Sequence, residues 1–154
     1  MTDPGWLVIF ILDGQRYGLY LDAVEQAIRA VAITRLPKAP GIVIGVINIQ
    51  GQIIPAVNVR KRFGLPLREM AVSDQVIVAR TTARDVAMVV DEVTGIVEYT
   101  GMELVPKEKI LPGLEHIDGI VVLNDGLVLI HDLEKFLSLE EQRSLDGALS
   151  RYRR

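Results

Sequence analysis

Short runs of branched apolar residues, arranged in pairs around polar turn residues, are the feature that most limits how this chain of 154 residues can fold. The run Leu7–Leu12 is followed by Asp13-Gly14, a dipeptide typical of tight hairpin turns, and then by a second apolar run. Valine and isoleucine, whose stiff side chains pack well on a pleated sheet, make up much of the apolar content. The pattern therefore predicts a mainly β protein built from hairpins.

The hairpins recur in the same order in the two halves of the chain. The segment Gln75–Val93 repeats the plan of the opening hairpin, and both end in Asp-x-Val, with Asp91 in the place of Asp22. The segment Gly45–Phe63 can likewise be laid over Gly119–Leu137, and each of these copies ends in a short charged turn. Two copies of one β-rich unit predict two small barrels packed against each other.

The boundaries of these units follow from the linkers. We expect one domain over residues 1–154, with lobes of about 7–66 and 75–137, and the sequence leaves open whether strands are exchanged between them. Residues 138–152 are predicted to form an exposed C-terminal helix, because Ser138 can cap it and a glutamate stands three residues further on. The residues that would share its apolar face are Leu145, Leu149 and Tyr152.

Composition excludes several classes of function. The net charge is −3 and only 5% of residues are aromatic, so the chain lacks the basic, aromatic surface of a nucleic-acid binder. There is no cysteine, and no spacing of ligands suggests a metal site, so we expect neither a metal ion nor a cofactor. The start of the chain has no basic region typical of a signal peptide, and Leu7–Leu12 is too short to span a bilayer. These features predict a soluble intracellular protein without direct membrane insertion.

Candidate catalytic residues are few. His131-Asp132 could form an acid–base pair, but no nucleophile stands in an obvious place beside it, so a packed histidine is the favoured interpretation. Asp22 and Asp91 occupy matching positions, and we interpret each as a cap on the turn after a strand rather than as half of a carboxylate pair. The remaining surplus of apolar residues on short strands favours a binding module over an enzyme.

The chain resembles the CheW family of chemotaxis adaptor proteins over about residues 7–137, in the segments YGLYLDAVEQAI, ITRLPKAPGIVIGVINIQGQIIPAVNVRKRFGL and VAMVVDEVTGIV. The resemblance implies two five-stranded barrels of the Src-homology-3 type around a shared hydrophobic core. It also implies a non-enzymatic, cytoplasmic scaffold at receptor arrays beneath the inner membrane. Such a scaffold couples chemoreceptors to a CheA-type histidine kinase and controls its activity. A divergent adaptor of another two-component pathway and a small-barrel nucleic-acid binder are the alternatives.

Two docking surfaces are implied by the same resemblance. A groove between the barrels would receive the helical cytoplasmic tip of a chemoreceptor. The residues bordering that groove would be Val24, Gln26, Gln50 and Val93. A face of the first barrel would bind the regulatory domain of the kinase, and its residues would be Ile33, Ile42 and Gly45.

Two of these positions depart from the family pattern. The family usually has Asn-Leu-Arg-Gly in the turn that is Asn48-Ile49-Gln50-Gly51 here, so Gln50 replaces the arginine. Gln26 stands where the family tends to have glutamate. Exchange of both members of a charged pair can be nearly neutral, whereas loss of one member is strongly destabilising. We therefore hypothesise a hydrogen bond between the two glutamines, and a receptor preference that has changed with them.

Overall fold

Eleven strands and two helices make up the computed structural model, which describes residues 5–29, 32–110 and 116–152. The strands are β1 (Gly5–Leu12), β2 (Gln15–Tyr20), β3 (Val24–Arg29), β4 (Val43–Ile49), β5 (Gln52–Val57), β6 (Gln75–Arg80), β7 (Asp85–Val90), β8 (Glu92–Tyr99), β9 (Leu104–Pro106), β10 (Ile117–Leu123) and β11 (Gly126–His131). The helices are α1 (Val59–Phe63) and α2 (Leu139–Tyr152). The predicted mainly β fold with a C-terminal helix is confirmed.

The strands form two open sheets whose orders match each other. The six-stranded sheet has the order β8-β1-β2-β11-β10-β9, and the five-stranded sheet has the order β3-β6-β7-β5-β4. Each sheet contains one parallel contact at the equivalent place, β11 with β2 and β5 with β7. The expected pair of Src-homology-3-like β units around a shared core is confirmed, although the strands of the described residues form sheets of six and five strands that do not close into barrels.

Strands are exchanged between the two halves of the sequence. The hairpin β1–β2 joins β8, β9, β10 and β11, while β3, β4 and β5 join the hairpin β6–β7. The sheets consequently do not coincide with residues 7–66 and 75–137. The internal repeat nevertheless persists in the backbone: Asn58 after β5 has φ −89° and ψ 93°, and Asp132 after β11 has φ −84° and ψ 91°.

The two helices have clear sequence signals at their ends. The Asn58 side chain accepts a hydrogen bond from the N–H of Lys61 at 3.0 Å, which caps α1. Before α2, the Ser138 hydroxyl accepts from the N–H of Glu141 at 3.1 Å, and the Glu141 carboxylate accepts from the N–H of Ser138 at 2.8 Å. This reciprocal pair is the capping box that the sequence predicts.

A single large core lies between the sheets and receives α2. It combines buried residues of both sheets and both halves, among them Phe10, Val46 and Met88. Leu145 and Leu149 of α2 are buried in the same cluster, so the expectation of an exposed C-terminal helix is wrong for its inner face. Two smaller clusters lie inside the individual sheets. The shared core is what holds the exchanged strands in one unit.

Candidate functional site

The residues predicted to border a receptor groove lie in two different settings. Val24 begins β3 and Val93 lies near the start of β8, at matching positions of the internal repeat. Both side chains are partly buried against the shared core. The N–H of Val93 donates to the Gln75 side chain at 2.6 Å, which fixes the start of β8. Each valine thus packs on the shared core from an edge strand of its own sheet.

The two glutamines are not brought together. Gln26 is half-buried on β3, one edge of the five-stranded sheet. Gln50 is exposed in the turn between β4 and β5, at the other edge, with a positive φ of 51°. No hydrogen bond joins their side chains in the described residues. The hypothesised glutamine pair is therefore not formed in this structure.

The residues predicted to bind a kinase are mostly inside the protein. Ile33 is half-buried, but Ile42 is only 4% exposed and Gly45 is buried. Thr34 forms a bridge with Val46, and a Cβ atom on Gly45 would stand 2.3 Å from the Thr34 carbonyl oxygen. A side chain at Gly45 would therefore clash within the chain before it reached any partner.

Residues that the sequence reasoning missed form a groove beside Ile33. Ile44 is 40% exposed and Met70 is 43% exposed, and together with Val89 they give the groove an apolar floor. Its volume is about 340 Å³, and Arg35 lies on its rim. The exposure of Ile44 could not be predicted from the sequence, because a bulge between Val43 and Gly45 interrupts the alternation of inward and outward side chains along β4.

An ion-pair cluster supports the other side of this groove. The Asp91 carboxylate lies 2.8 Å from the Arg60 guanidinium and 2.6 Å from that of Arg68, and it accepts the N–H of Asp13 at 2.9 Å. Burial acts to raise the pKa of Asp91, but the Asp13 N–H and the Arg60 guanidinium together hold that pKa below its ordinary value. The cluster ties the turn of β1–β2, helix α1 and the loop before β6 to the end of β7. Asp22, its counterpart in the repeat, is exposed and makes no such contact with the described residues.

His131 is a buried residue of the core and is not placed as a catalytic group. Its ring is 2% exposed and lies between Phe63 and Phe136, with ring centroids 4.8 and 5.1 Å away. Neither ring nitrogen has a hydrogen-bond partner among the described residues, and burial lowers the pKa of His131 to about 3. His131 therefore occupies the core as an uncharged ring, at the place where the other half of the chain has the buried Val57.

This burial makes a prediction about acid stability. Between pH 6.5 and about 3 the unfolded chain binds one more proton at His131 than the folded chain does. The free energy of unfolding should therefore fall by up to about 1.4 kcal/mol for each pH unit below 6.5. Urea unfolding of the wild type and of His131→Val at pH 7 and pH 5.5 measures this, and the variant should lose the slope. The same pH slope in both proteins would contradict it.

The described residues contain neither a group of side chains suited to a metal ion nor a helix suited to span a membrane. Over residues 5–29, 32–110 and 116–152, no three acidic, histidine or cysteine residues are grouped so as to hold a metal ion. Neither helix in those ranges has the length and apolar character needed to cross a bilayer.

Comparison with known proteins identifies the family of this chain. The CheW-like domain matches residues 7–141. The chain belongs to the CheW-like family. A CheW chemotaxis protein of Thermotoga maritima is 32% identical over 128 residues, covering 83% of this chain and 84% of that protein. One of Klebsiella aerogenes is 28% identical over 142 residues, covering 91% and 86%.

A solved CheW structure has the same fold. The crystal structure of the scaffolding protein TtCheW from Thermoanaerobacter tengcongensis superposes with a TM-score of 0.82 at 25% identity, covering 90% of this chain and 96% of that one. The CheW-like match ends at residue 141, within the first turn of α2. The buried residues of α2, Leu145, Ala148 and Leu149, lie beyond it.

Proposed function

We propose that this chain is a non-enzymatic scaffold that couples chemoreceptors to a CheA-type histidine kinase and controls the activity of that kinase. The observation that carries the proposal is the CheW-like match over residues 7–141 on a fold shared with the scaffolding protein TtCheW. The groove that contains the exposed Ile44 and Met70 suits contact with another protein, since exposed apolar surface on a small domain commonly marks a partner site. Its place would be the cytoplasm, at receptor arrays beneath the inner membrane.

The receptor would bind at the margin of the joint between the sheets. In support of this, Val24 and Val93 each offer a partly buried apolar side chain against the shared core, from an edge strand of a different sheet. An amphipathic helix of the receptor's cytoplasmic tip could lay its apolar face on such a margin. Gln26, on the same strand as Val24, would add an uncharged hydrogen-bonding group there, and the exposed Gln50 would meet the receptor from the opposite edge of the five-stranded sheet.

The regulatory domain of the kinase would bind at the groove around Ile33. Ile44 and Met70 present exposed apolar atoms to a partner. Ile42 and Gly45 are buried and do not. Arg35 on the rim would supply a charged contact at the edge of the interface. Gly45 would act on this face indirectly, by allowing the Thr34 bridge to lie close to β4, and Ile42 would act through its packing in the shared core.

Substitution of Ile44 tests the kinase face. Ile44→Asp should weaken binding of the purified kinase at least about tenfold, because a charge would be placed in the apolar floor of the groove. Leu127→Asp is the matched control, since Leu127 is also an apolar strand residue, 48% exposed, on the six-stranded sheet. Isothermal titration calorimetry measures both affinities. An equal loss in both variants, or no loss for Ile44→Asp, would place the kinase elsewhere.

A further inference from the structure

Large apolar side chains are exposed on the loop between α1 and β6, which we call the 64–74 loop. Leu67 is 63% exposed, Met70 is 43% exposed and Val72 is 98% exposed. One exposed leucine is ordinary on a protein surface, but three large apolar side chains within one short loop are not. Together with Ile44 they are four of the ten large apolar side chains that are exposed in the described ranges, so exposed apolar surface is concentrated here.

Both ends of the 64–74 loop are fixed to the body of the protein. Leu65 packs against the shared core, and the carbonyl oxygen of Pro66 accepts a hydrogen bond from the Arg60 guanidinium at 2.9 Å. At the other end Asp74 is only 3% exposed, and its carboxylate accepts a hydrogen bond from the N–H of Ala71 at 2.8 Å. These contacts hold the backbone of the loop while the three apolar side chains stay in solvent.

Arg68 fixes the middle of the same loop. Its guanidinium donates to the Asp74 carboxylate at 2.9 and 2.7 Å and to the Asp91 carboxylate at 2.6 Å. Burial acts to raise the pKa of Asp74, but the Arg68 guanidinium and the Ala71 N–H together hold that pKa below its ordinary value, so the ion pair persists at neutral pH. A loop that is already ordered loses less conformational entropy on binding than a flexible loop does. The 64–74 loop is therefore preorganised to meet a partner.

The loop forms one wall of the groove at which the kinase is proposed to bind. Met70 lines that groove together with Ile44, so the loop and the groove share apolar surface. Leu67 and Val72 lie outside the lining of the groove, and they extend the exposed apolar surface beyond it. The kinase is the partner that this loop fits, because its apolar surface continues that of the groove, whereas the receptor valines lie on β3 and β8.

On the basis of the proposed coupling to a kinase, we propose that the 64–74 loop inserts Leu67 and Val72 into an apolar pocket of the kinase's regulatory domain. The two side chains are the anchors of the complex, because they bury apolar surface on binding that the free protein leaves in water. Apolar anchors act mainly after the first encounter, so they slow dissociation more than they speed association.

The double variant Leu67→Ser with Val72→Ser tests this assignment. Surface plasmon resonance measures the association and dissociation rates of the full chain on its immobilised full-length kinase. We expect the affinity to fall at least about tenfold, mainly through faster dissociation, with little change in the association rate. Both side chains are exposed, so the midpoint of urea unfolding should not change, and the loss of affinity cannot then be a loss of folding.

Leu139→Ser is the matched control. Leu139 is an exposed leucine like Leu67, at 68% against 63%, but it lies at the start of α2 and not in the loop. Its variant should associate with the kinase and dissociate from it at the wild-type rates. The binding of receptor-containing membranes supplies a second control, because the double variant should bind them as the wild type does.

The possible failures of this proposal differ from a failure of the proposed function. Wild-type rates for the double variant, or an equal loss in Leu139→Ser, would overturn the role of the loop and leave coupling to the kinase intact. A loss of receptor binding with unchanged kinase binding would make the loop a receptor surface instead. Absence of any binding between the wild-type chain and the kinase would overturn both this proposal and the proposed function.

Discussion

Replacement of Asp91 by alanine should lower the free energy of unfolding by about 3 kcal/mol, because it leaves a partly buried arginine without its main counter-charge. The Arg60 side chain is 11% exposed and its shortest ion pair is the 2.8 Å contact with Asp91. Asp91 also accepts the N–H of Asp13 and pairs with Arg68, so three segments lose their common contact. Urea unfolding followed by circular dichroism measures the change.

The internal repeat supplies the control for this experiment. Asp22 has the same place in the first half as Asp91 has in the second, but it is exposed and has no described cation beside it. Asp22→Ala should therefore change the free energy of unfolding by less than about 0.5 kcal/mol. Equal destabilisation by the two substitutions would show that an aspartate at this turn position, and not the ion-pair cluster, contributes to the free energy of unfolding.

Replacement of Leu145 by alanine should destabilise the protein by about 3 kcal/mol, since it opens a cavity in the shared core. Leu145 is 0% exposed and packs in the cluster that also contains Phe10 and Met88. The effect is expected although Leu145 lies beyond the CheW-like match, because α2 closes the core where the two sheets meet.

Leu139 is the matched control on the same helix. It is 68% exposed at the start of α2, so Leu139→Ala should change the free energy of unfolding by less than about 0.5 kcal/mol. Thermal and urea unfolding of the two variants give the comparison. A small effect of Leu145→Ala would mean that α2 is an appendage and that the exchanged sheets are stable without it.

Local features of this fold could be predicted from sequence because short-range chemistry determines them. Asp13-Gly14 specifies a tight turn, and Ser138 with Glu141 specifies the start of α2. The repeat was visible because both copies of each hairpin carry the same turn and end signals. The exchange of strands between the two halves could not be predicted from the sequence. The alternation of side chains along a strand fixes which face of that strand is buried, but it does not fix which distant strand pairs with it.

The candidate sites were predicted less well, and the reason is the bulge in β4. In a continuous apolar run such as Ile42 to Ile47, alternation is the only guide to which side chains point outward. The bulge between Val43 and Gly45 shifts that alternation, so Ile44 is exposed while Ile42 is buried. The departures at Gln26 and Gln50 were visible in the sequence, but only the fold shows that the two residues lie at opposite edges of the five-stranded sheet.

We propose that this chain controls the activity of a histidine kinase by coupling it to receptors. The most direct measurement sediments the full chain with receptor-containing membranes and its own histidine kinase, and follows the rate of kinase autophosphorylation. We predict that the chain enters the membrane pellet together with the kinase, and that the rate rises only when the chain, receptor and kinase are all present. A kinase that reaches the membranes equally without the chain, or a rate that does not respond to it, would contradict the account.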